Sequence, residues 1–124
     1  MKGKPQFDTQ TTVGTLREEV REFVKERDWE GYHSPKNLGM SIAIEAAEIM
    51  ELFQWYSTAE SRKLVEDEKF RAQVVDELAD VMIYCLCLAN EVEIDVSTAV
   101  KAKLERSRSR YPIGYMPTKN NESS

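Results

Sequence analysis

Apolar residues recur every three or four positions in four stretches of the chain, a spacing typical of amphipathic α-helices. The stretches cover approximately residues 16–28, 35–55, 66–91 and 96–108. In the first, the repeat predicts a buried stripe made of Leu16, Val20, Phe23 and Val24. Glycine and proline are absent from residues 40–110, and both are costly inside a helix. The pattern therefore predicts an all-α fold.

Residues that typically cap the first turn of a helix occur near the starts of these predicted helices. Thr15 and Glu18 have the spacing of a capping box, in which each side chain bonds the backbone N–H of the other residue. Ser34, followed by a proline, and Asp95 are N-cap candidates for the second and fourth helices. A second capping box at residues 57–60 predicts a short helix that links the second long helix to the third.

The length fits a single domain. We expect residues 1–14 to be an N-terminal extension, residues 15–112 to form the domain, and residues 113–124 to be a disordered tail, because the tail is polar and lacks periodicity. A lone domain of this size leaves apolar surface to cover, which favours an oligomer.

Charge and hydropathy restrict the partners and the location. The net charge of −5 argues against nucleic acid as a partner. The longest apolar run, residues 81–89, is far shorter than the roughly 20 residues that span a bilayer, so no membrane association is expected. The N-terminus lacks the apolar core of a secretory signal. Cys85 and Cys87 fit core thiols of a reducing compartment, so we expect a cytoplasmic protein.

Two acidic pairs lie within the apolar runs of the second and third long helices, Glu45 with Glu48 and Glu77 with Asp80. Residues three apart share a helix face, so antiparallel packing of the two helices lets the pairs meet. Two carboxylates about 4 Å apart repel by ~4 kcal/mol at an effective dielectric of about 20. Such a cluster needs cations or protons, and hard oxygen ligands suit Mg²⁺ or Mn²⁺.

Simpler explanations exist for the acidic pairs. With 22 acidic residues in a helical chain, such spacings also arise by chance on solvated helix faces. A di-iron bundle uses Glu-x-x-His pairs from two helices. Because His33 is the only histidine, that option is poor.

Aromatic side chains stand near these acids along the chain. Trp55 and Tyr84 each follow an acid of the pairs by seven residues, about two helical turns. Trp29 and His33 lie in the loop before the second helix. Rings in these positions can stack a nucleobase. Taken singly, each aromatic is better explained by helix packing.

Basic residues concentrate between Lys101 and Arg110 in the last helix. Lys103 and Arg110, seven apart, share a face that Arg106 approaches, and such a face can bind phosphate oxygens. For Lys101 and Arg108, a solvated basic face favoured by the helix dipole is at least an equal explanation.

Taken together, these segments resemble the MazG-like all-α nucleoside triphosphate pyrophosphatases, and most closely their dCTP pyrophosphatase branch. The resemblance covers residues 15–112, and the acidic pairs become a specific signal when joined to the FQW and RYP segments in this order. The segments that carry it are Arg27-Asp28-Trp29, His33-x-Pro35-Lys36-Asn37-Leu38, Glu45-x-x-Glu48, Glu51-Leu52-Phe53-Gln54-Trp55, Glu77-x-x-Asp80-Val81-x-Ile83-Tyr84, and Lys103 with Arg110-Tyr111-Pro112.

The resemblance implies a four-helix-bundle-like protomer that assembles as a homodimer or a dimer of dimers, with its sites at the subunit interface. It implies Mg²⁺, with Mn²⁺ as a substitute, held by the catalytic carboxylates Glu45, Glu48, Glu77 and Asp80. It also implies base-binding residues, namely Trp29, His33, Trp55 and Tyr84, and phosphate-binding residues, namely Lys36, Lys103, Ser107, Arg110 and Tyr111.

Two departures from the family pattern bear on the substrate. Ser107 stands where the family usually has Asn, and Val20 stands where the closest relatives can have a polar residue facing the base. Base preference is therefore not carried over. We expect Mg²⁺-dependent hydrolysis of (deoxy)nucleoside triphosphates, dCTP-like ones among them, to a nucleoside monophosphate and pyrophosphate, as nucleotide-pool house-cleaning. The alternative is a non-catalytic helical module that binds nucleotides or a protein.

Overall fold

The computed structural model describes residues 7–117, which form five α-helices and two short 3-10 helices. The α-helices are α1 (Val13–Glu26), α2 (Pro35–Phe53), α3 (Thr58–Leu64), α4 (Glu68–Glu91) and α5 (Val96–Arg110). The 3-10 helices, Asp8–Gln10 and Glu30–Tyr32, precede α1 and α2. No strand occurs in residues 7–117, so the all-α prediction is confirmed.

Side-chain caps fix the helix starts. Ser34, Ser57 and Asp95 cap α2, α3 and α5 as predicted, each accepting a hydrogen bond from the backbone N–H three residues on. The short linking helix that residues 57–60 predicted is therefore present as α3.

The start of α1 differs from the prediction. Thr12 is its cap, because Thr12 Oγ1 accepts a hydrogen bond from the backbone N–H of Thr15 at 3.0 Å. The capping box predicted for Thr15 and Glu18 is wrong, since Thr15 already lies inside the helix. The helix thus begins within the segment 1–14 predicted as an extension, of which residues 1–6 lie outside the described part.

The packing is organised around α4, which carries α2 along one side and α1 along another. Val24 of α1, Leu38 of α2 and Cys87 of α4 form the buried cluster that joins the three helices. Arg17 and Asn90 clamp α1 to α4, because Asn90 Oδ1 accepts from Arg17 Nε at 2.9 Å and Asn90 Nδ2 donates to Arg17 O at 3.1 Å. α1 and α2 are thereby held against different sides of α4, and the second acidic pair faces α2.

Much apolar surface remains open on the protomer. Of the stripe predicted for α1, Val24 is buried, whereas Leu16 and Phe23 are 42% and 43% exposed, so the stripe prediction is wrong for these two. Together with Met82 and Ile83 they line a groove of about 390 Å³ between α1 and α4. The helix pair does not close over this groove, which leaves its apolar lining open.

The last helix stands apart from the others. α5 makes only slight contact with the rest of the protomer, and its apolar residues Val100 and Leu104 are exposed. After α5, Tyr115 donates its backbone N–H to Pro112 O at 2.9 Å. The disorder predicted for the tail falls largely on residues 118–124, which lie outside the described residues.

The two cysteines occupy different environments. Cys87 is buried, as expected of a core thiol, but Cys85 is exposed, so the core prediction is wrong for Cys85. None of the described helices combines the length and the apolar composition that a membrane-spanning segment requires.

Candidate active site

The two acidic pairs meet between α2 and α4. Carboxylate oxygens of Glu45, Glu48 and Glu77 all lie within 4.8 Å of one another. The carboxyl group of Asp80 is within hydrogen-bonding reach of Glu45. Because α2 packs along α4 and each pair occupies one helix face, the fold brings the four predicted side chains together. We refer to Glu45, Glu48, Glu77 and Asp80 as the acidic quartet.

The quartet resists full ionisation. Glu77 Oε2 is shielded from solvent and has no hydrogen-bond donor among the described residues. Its contact with Glu48 becomes a hydrogen bond only when one of the two carboxyls is protonated, and this contact, with desolvation and neighbouring charges, raises the pKa of Glu77 to about 7. Desolvation, followed by the charges of Glu48 and Asp80, raises the pKa of Glu45.

These residues fit a divalent cation. The buried Glu77 Oε2 lacks a donor, and a buried carboxylate oxygen without a partner is costly. All four side chains offer oxygen, the ligand that Mg²⁺ and Mn²⁺ prefer. Glu48 and Asp80 are exposed while Glu45 and Glu77 are half-buried, so the site opens to solvent on one side. The quartet is therefore a candidate metal centre with access for a substrate.

Without metal, the quartet should make stability depend on pH. A raised pKa means that the folded protein holds the Glu77 proton more tightly than the unfolded chain does, so the free energy of unfolding should fall as pH rises from the ordinary value of 4.5 to about 7. Urea unfolding in EDTA at several pH values measures this. Glu77→Gln should make the free energy of unfolding fall less with rising pH, and Mg²⁺ should have the same effect on the wild type. An equal decline in the wild type and in Glu77→Gln would contradict the prediction, and Glu66→Gln, an exposed carboxylate, is the control.

An aromatic cluster lies next to the quartet. Ring centroids of Trp29 and His33 are 6.3 Å apart, and those of His33 and Tyr84 are 6.4 Å apart. Tyr84 follows Asp80 by four residues, one helical turn along the same face of α4. The structure therefore brings three of the four predicted base-binding residues to one place.

Phe23 belongs to this cluster, although the sequence pattern placed it in a buried stripe. Its ring packs edge-on against Trp29 with centroids 5.6 Å apart, and the Arg27 guanidinium carbon lies 3.8 Å from its centre. Asp28 has a φ of 56°, and this left-handed turn lets Trp29 donate its backbone N–H to Val24 O at 3.1 Å. In the sequence, Phe23 and Arg27 are four residues apart and directly precede Asp28 and Trp29. This i, i+4 spacing could have predicted the contact between Phe23 and Arg27.

Trp55, the fourth predicted base-binding residue, does not contact the aromatic cluster within the described residues. It lies in the turn after α2 and is 81% exposed. The helical spacing that related it to Glu48 does not apply, because α2 ends at Phe53.

The predicted phosphate-binding residues are not joined to the quartet within the protomer. No hydrogen bond or ion pair in the described part of the chain connects them to a quartet carboxylate. The Arg110 guanidinium carbon instead lies 5.5 Å from the ring centre of Tyr111. Their positions are the first turn of α2 for Lys36, α5 for Lys103, Ser107 and Arg110, and the residue after α5 for Tyr111.

The described residues form an all-helical fold in which the acidic quartet lies between two packed helices and beside aromatic rings. These features define the class of protein with which the chain is compared. Residues 40–123 match the model of the MazG-like family, and the match includes the whole quartet. The chain belongs to the MazG-like family, which confirms the resemblance carried by its motifs.

Relatives named dCTP pyrophosphatase 1 are similar to this chain over most of its length. The chain is 40% identical over 107 residues to dCTP pyrophosphatase 1 of Rattus norvegicus, covering 86% of this chain and 63% of the relative. It is 37% identical over 110 residues to dCTP pyrophosphatase 1 of Homo sapiens, covering 89% of this chain and 65% of the relative. The chain thus spans less than two thirds of the length of these relatives.

A solved structure is also similar. The crystal structure of a pyrophosphatase from Archaeoglobus fulgidus matches with a TM-score of 0.74 and 40% sequence identity, covering 90% of this chain and 99% of that chain. This match independently supports the all-helical fold class.

Proposed function

We propose that this chain hydrolyses nucleoside triphosphates between the α and β phosphates, releasing a nucleoside monophosphate and pyrophosphate. The observation that carries the proposal is the convergence of the acidic quartet, with Glu77 Oε2 buried and lacking a donor among the described residues. The relatives named dCTP pyrophosphatase 1 and the archaeal pyrophosphatase support this reaction class and suggest dCTP-like substrates.

The quartet would hold Mg²⁺, for which Mn²⁺ can substitute. A divalent ion there supplies neutralisation of the triphosphate charge and Lewis-acid polarisation of the reacting phosphate. A quartet carboxylate accepts the proton that water loses as it attacks the α-phosphorus. The bond from the α-phosphorus to the α–β bridging oxygen breaks, and that oxygen leaves with pyrophosphate. The open side of the quartet, at Glu48 and Asp80, is where the triphosphate approaches.

The aromatic cluster positions the nucleoside. Tyr84 lies one turn along α4 from Asp80, so a nucleotide with its phosphates at the quartet has its base beside Tyr84, His33 and Trp29. Trp29 is 42% exposed, which leaves part of its indole free for stacking. Stacking of a base on an aromatic ring contributes about 1–3 kcal/mol.

We propose that a homodimer, or a dimer of such dimers, completes the site. α5 has little contact with its own protomer and exposes Val100 and Leu104 beside the basic residues Lys103 and Arg110. Packing of this helix on a second copy covers the apolar residues and supplies basic side chains for the departing pyrophosphate.

Subunit complementation tests the shared site. Glu48→Gln and Lys103→Ala should each be nearly inactive alone. Mixed subunits should regain about a quarter of the wild-type activity, because random pairing joins the two variants in about half of the dimers and each mixed dimer keeps one intact site of its two. The measurement is pyrophosphate release after co-expression of the two variants. Mixed oligomers as inactive as the parents would contradict a site built from two subunits.

Pyrophosphate release is the direct test of the reaction. The purified chain is incubated with Mg²⁺ and a panel of nucleoside triphosphates, and the expected products are monophosphate and pyrophosphate rather than diphosphate and phosphate. EDTA should abolish the reaction. A nucleotide-dependent rise in Tm without pyrophosphate release would instead identify a non-catalytic binding module.

Replacement of Trp55 should mainly weaken nucleotide binding. Trp55 is 81% exposed in the protomer, so Trp55→Ala should cost little folding stability. Loss of one stacked ring should raise KM about tenfold with kcat nearly unchanged. Steady-state kinetics measure the split, and Phe7→Ala, another exposed aromatic, is the control. An unchanged KM for every nucleotide would assign Trp55 a packing role instead.

The biological role that follows is the clearing of nucleoside triphosphates from a cytoplasmic nucleotide pool. We propose residues 15–112, extended at the start by the first turn of α1, as the unit that performs it. Nucleic acid is not a partner in this proposal, in keeping with the net charge of −5.

A further inference from the structure

The loop between α1 and α2 carries Trp29 and His33, yet it is weakly packed. Its middle is the 3-10 helix Glu30–Tyr32, and a Cβ added at Gly31 would meet no atom within 4 Å. The Tyr32 side chain is 73% exposed. Segments with so few buried contacts open locally at little cost in free energy. The firmness with which this loop holds its two rings therefore depends on its hydrogen bonds.

Asn37 fastens the loop to α2. Its side-chain Nδ2 donates to Tyr32 O at 3.0 Å. That oxygen belongs to the planar peptide unit that joins Tyr32 to His33, so fixing it also fixes the direction of the His33 N–H, which donates to Glu30 O at 3.2 Å. The Tyr32 N–H donates to Trp29 O at 2.9 Å. One side-chain hydrogen bond thus restrains both residues whose rings belong to the aromatic cluster.

The start of α2 does not need this amide. Ser34 Oγ accepts a hydrogen bond from the backbone N–H of Asn37 at 3.1 Å, and every residue type except proline supplies that N–H. Asn37 is exposed and is the third residue of α2. At such a position the helix dipole favours an acidic side chain over a neutral one. Unlike an ionised acid, asparagine has an N–H that can donate to a carbonyl oxygen. The amide therefore serves the loop rather than the helix.

We propose that Asn37 is a positioning residue, which acts through the loop to hold Trp29 and His33 in place for the nucleotide. This inference rests on the proposed function, in which the nucleoside lies beside the aromatic cluster. The His33 ring lies 6.3 Å from Trp29 and 6.4 Å from Tyr84, measured between centroids, so displacement of the loop disturbs both contacts. A loop that is ordered before binding adds no ordering cost to the binding of the nucleotide.

Asn37→Asp separates the role in the loop from the role in the helix. The carboxylate has nearly the same shape but cannot donate to Tyr32 O, whereas the helix start keeps its Ser34 cap and gains a favourable charge. We expect Tm to stay equal or rise and KM for nucleoside triphosphates to rise about three- to tenfold. The value of kcat should change little, because the quartet is intact. Asn37→Ala, which adds no charge, should raise KM by a similar factor.

Gln10→Glu is the matched control. It is also an amide-to-acid change, but here the side-chain oxygen makes the hydrogen bond, accepting from the Phe7 N–H at 3.1 Å. The acid keeps that acceptor, so KM and Tm should equal those of the wild type.

Trp29 gives a second readout that needs no turnover. The chain has two tryptophans, so Trp55→Phe leaves Trp29 as the single one. In that background and without nucleotide, Asn37→Asp and Asn37→Ala should each raise the acrylamide quenching constant of Trp29. The rise should be about twofold at most, because the indole is already 42% exposed. Gln10→Glu should leave the quenching constant unchanged.

The outcomes separate this inference from the proposed reaction. The positioning role alone is overturned if the wild type releases pyrophosphate and both Asn37 variants keep its KM. A rise of KM in Asn37→Asp only, which marks a charge effect, would also overturn it, as would a joint fall of Tm and kcat in both variants. If the wild type releases pyrophosphate from no nucleotide, the proposed reaction is overturned. Unchanged quenching would then overturn the positioning of Trp29 as well, and raised quenching would support it.

Discussion

Glu48→Gln or Asp80→Asn is expected to reduce pyrophosphate release by about a hundredfold or more while the helices stay folded. Outer-sphere partners of a metal ligand typically contribute about 10–100-fold, and in the proposed site these side chains bind the ion itself. Both are exposed, so neither substitution leaves a cavity in the core. Removing one negative charge also relieves repulsion within the quartet, so Tm without metal should not fall.

Three measurements decide this prediction. Initial rates of pyrophosphate release give the loss of activity, circular dichroism verifies the helices, and Mg²⁺ titration followed by Tm shows whether metal stabilisation disappears in the variants. Glu66→Gln, an exposed carboxylate in the turn before α4, is the matched control and should behave as the wild type. Retention of most of the wild-type rate in both quartet variants would remove the metal-centred mechanism.

Leu38→Ala is expected to lower the free energy of unfolding by about 2–5 kcal/mol. Leu38 is 1% exposed and is the side chain of α2 that packs with Val24 of α1 and Cys87 of α4. The cavity left by the substitution opens where three helices meet. Domains are typically stable by about 5–15 kcal/mol, so this loss is a large part of the total.

Urea unfolding at one fixed protein concentration measures the effect, because the proposed subunit association would also stabilise the folded state. Ile113→Ala is the control, since Ile113 is fully exposed and its truncation should change stability little. A loss below about 1 kcal/mol for Leu38→Ala would mean that the contacts of Leu38 do not hold the protomer together.

Local signals predicted most helix boundaries, because caps and apolar periodicity act over a few residues. Asp95 and Ser57 cap the helices that they were expected to begin. The start of α1 was wrong because Thr12 and Thr15 both offer a hydroxyl, and the choice depends on which backbone N–H is left without a helical partner. The base-binding role of Trp55 stays a prediction, because Trp55 lies beyond the end of α2 at Phe53, where helical spacing no longer predicts the direction of a side chain.

By itself, the sequence determined the all-α class, the caps of α2, α3 and α5, and the pairing of acids on single helix faces, since each depends on spacing along one helix. Only the tertiary structure decided that the two acidic pairs face each other, that Phe23 supports Trp29, and that Cys87 lines a cavity. Each of these requires two helices to be brought together at a particular rotation about their axes. That rotation is set by the packing of Val24, Leu38 and Cys87, which no single stretch of the chain contains.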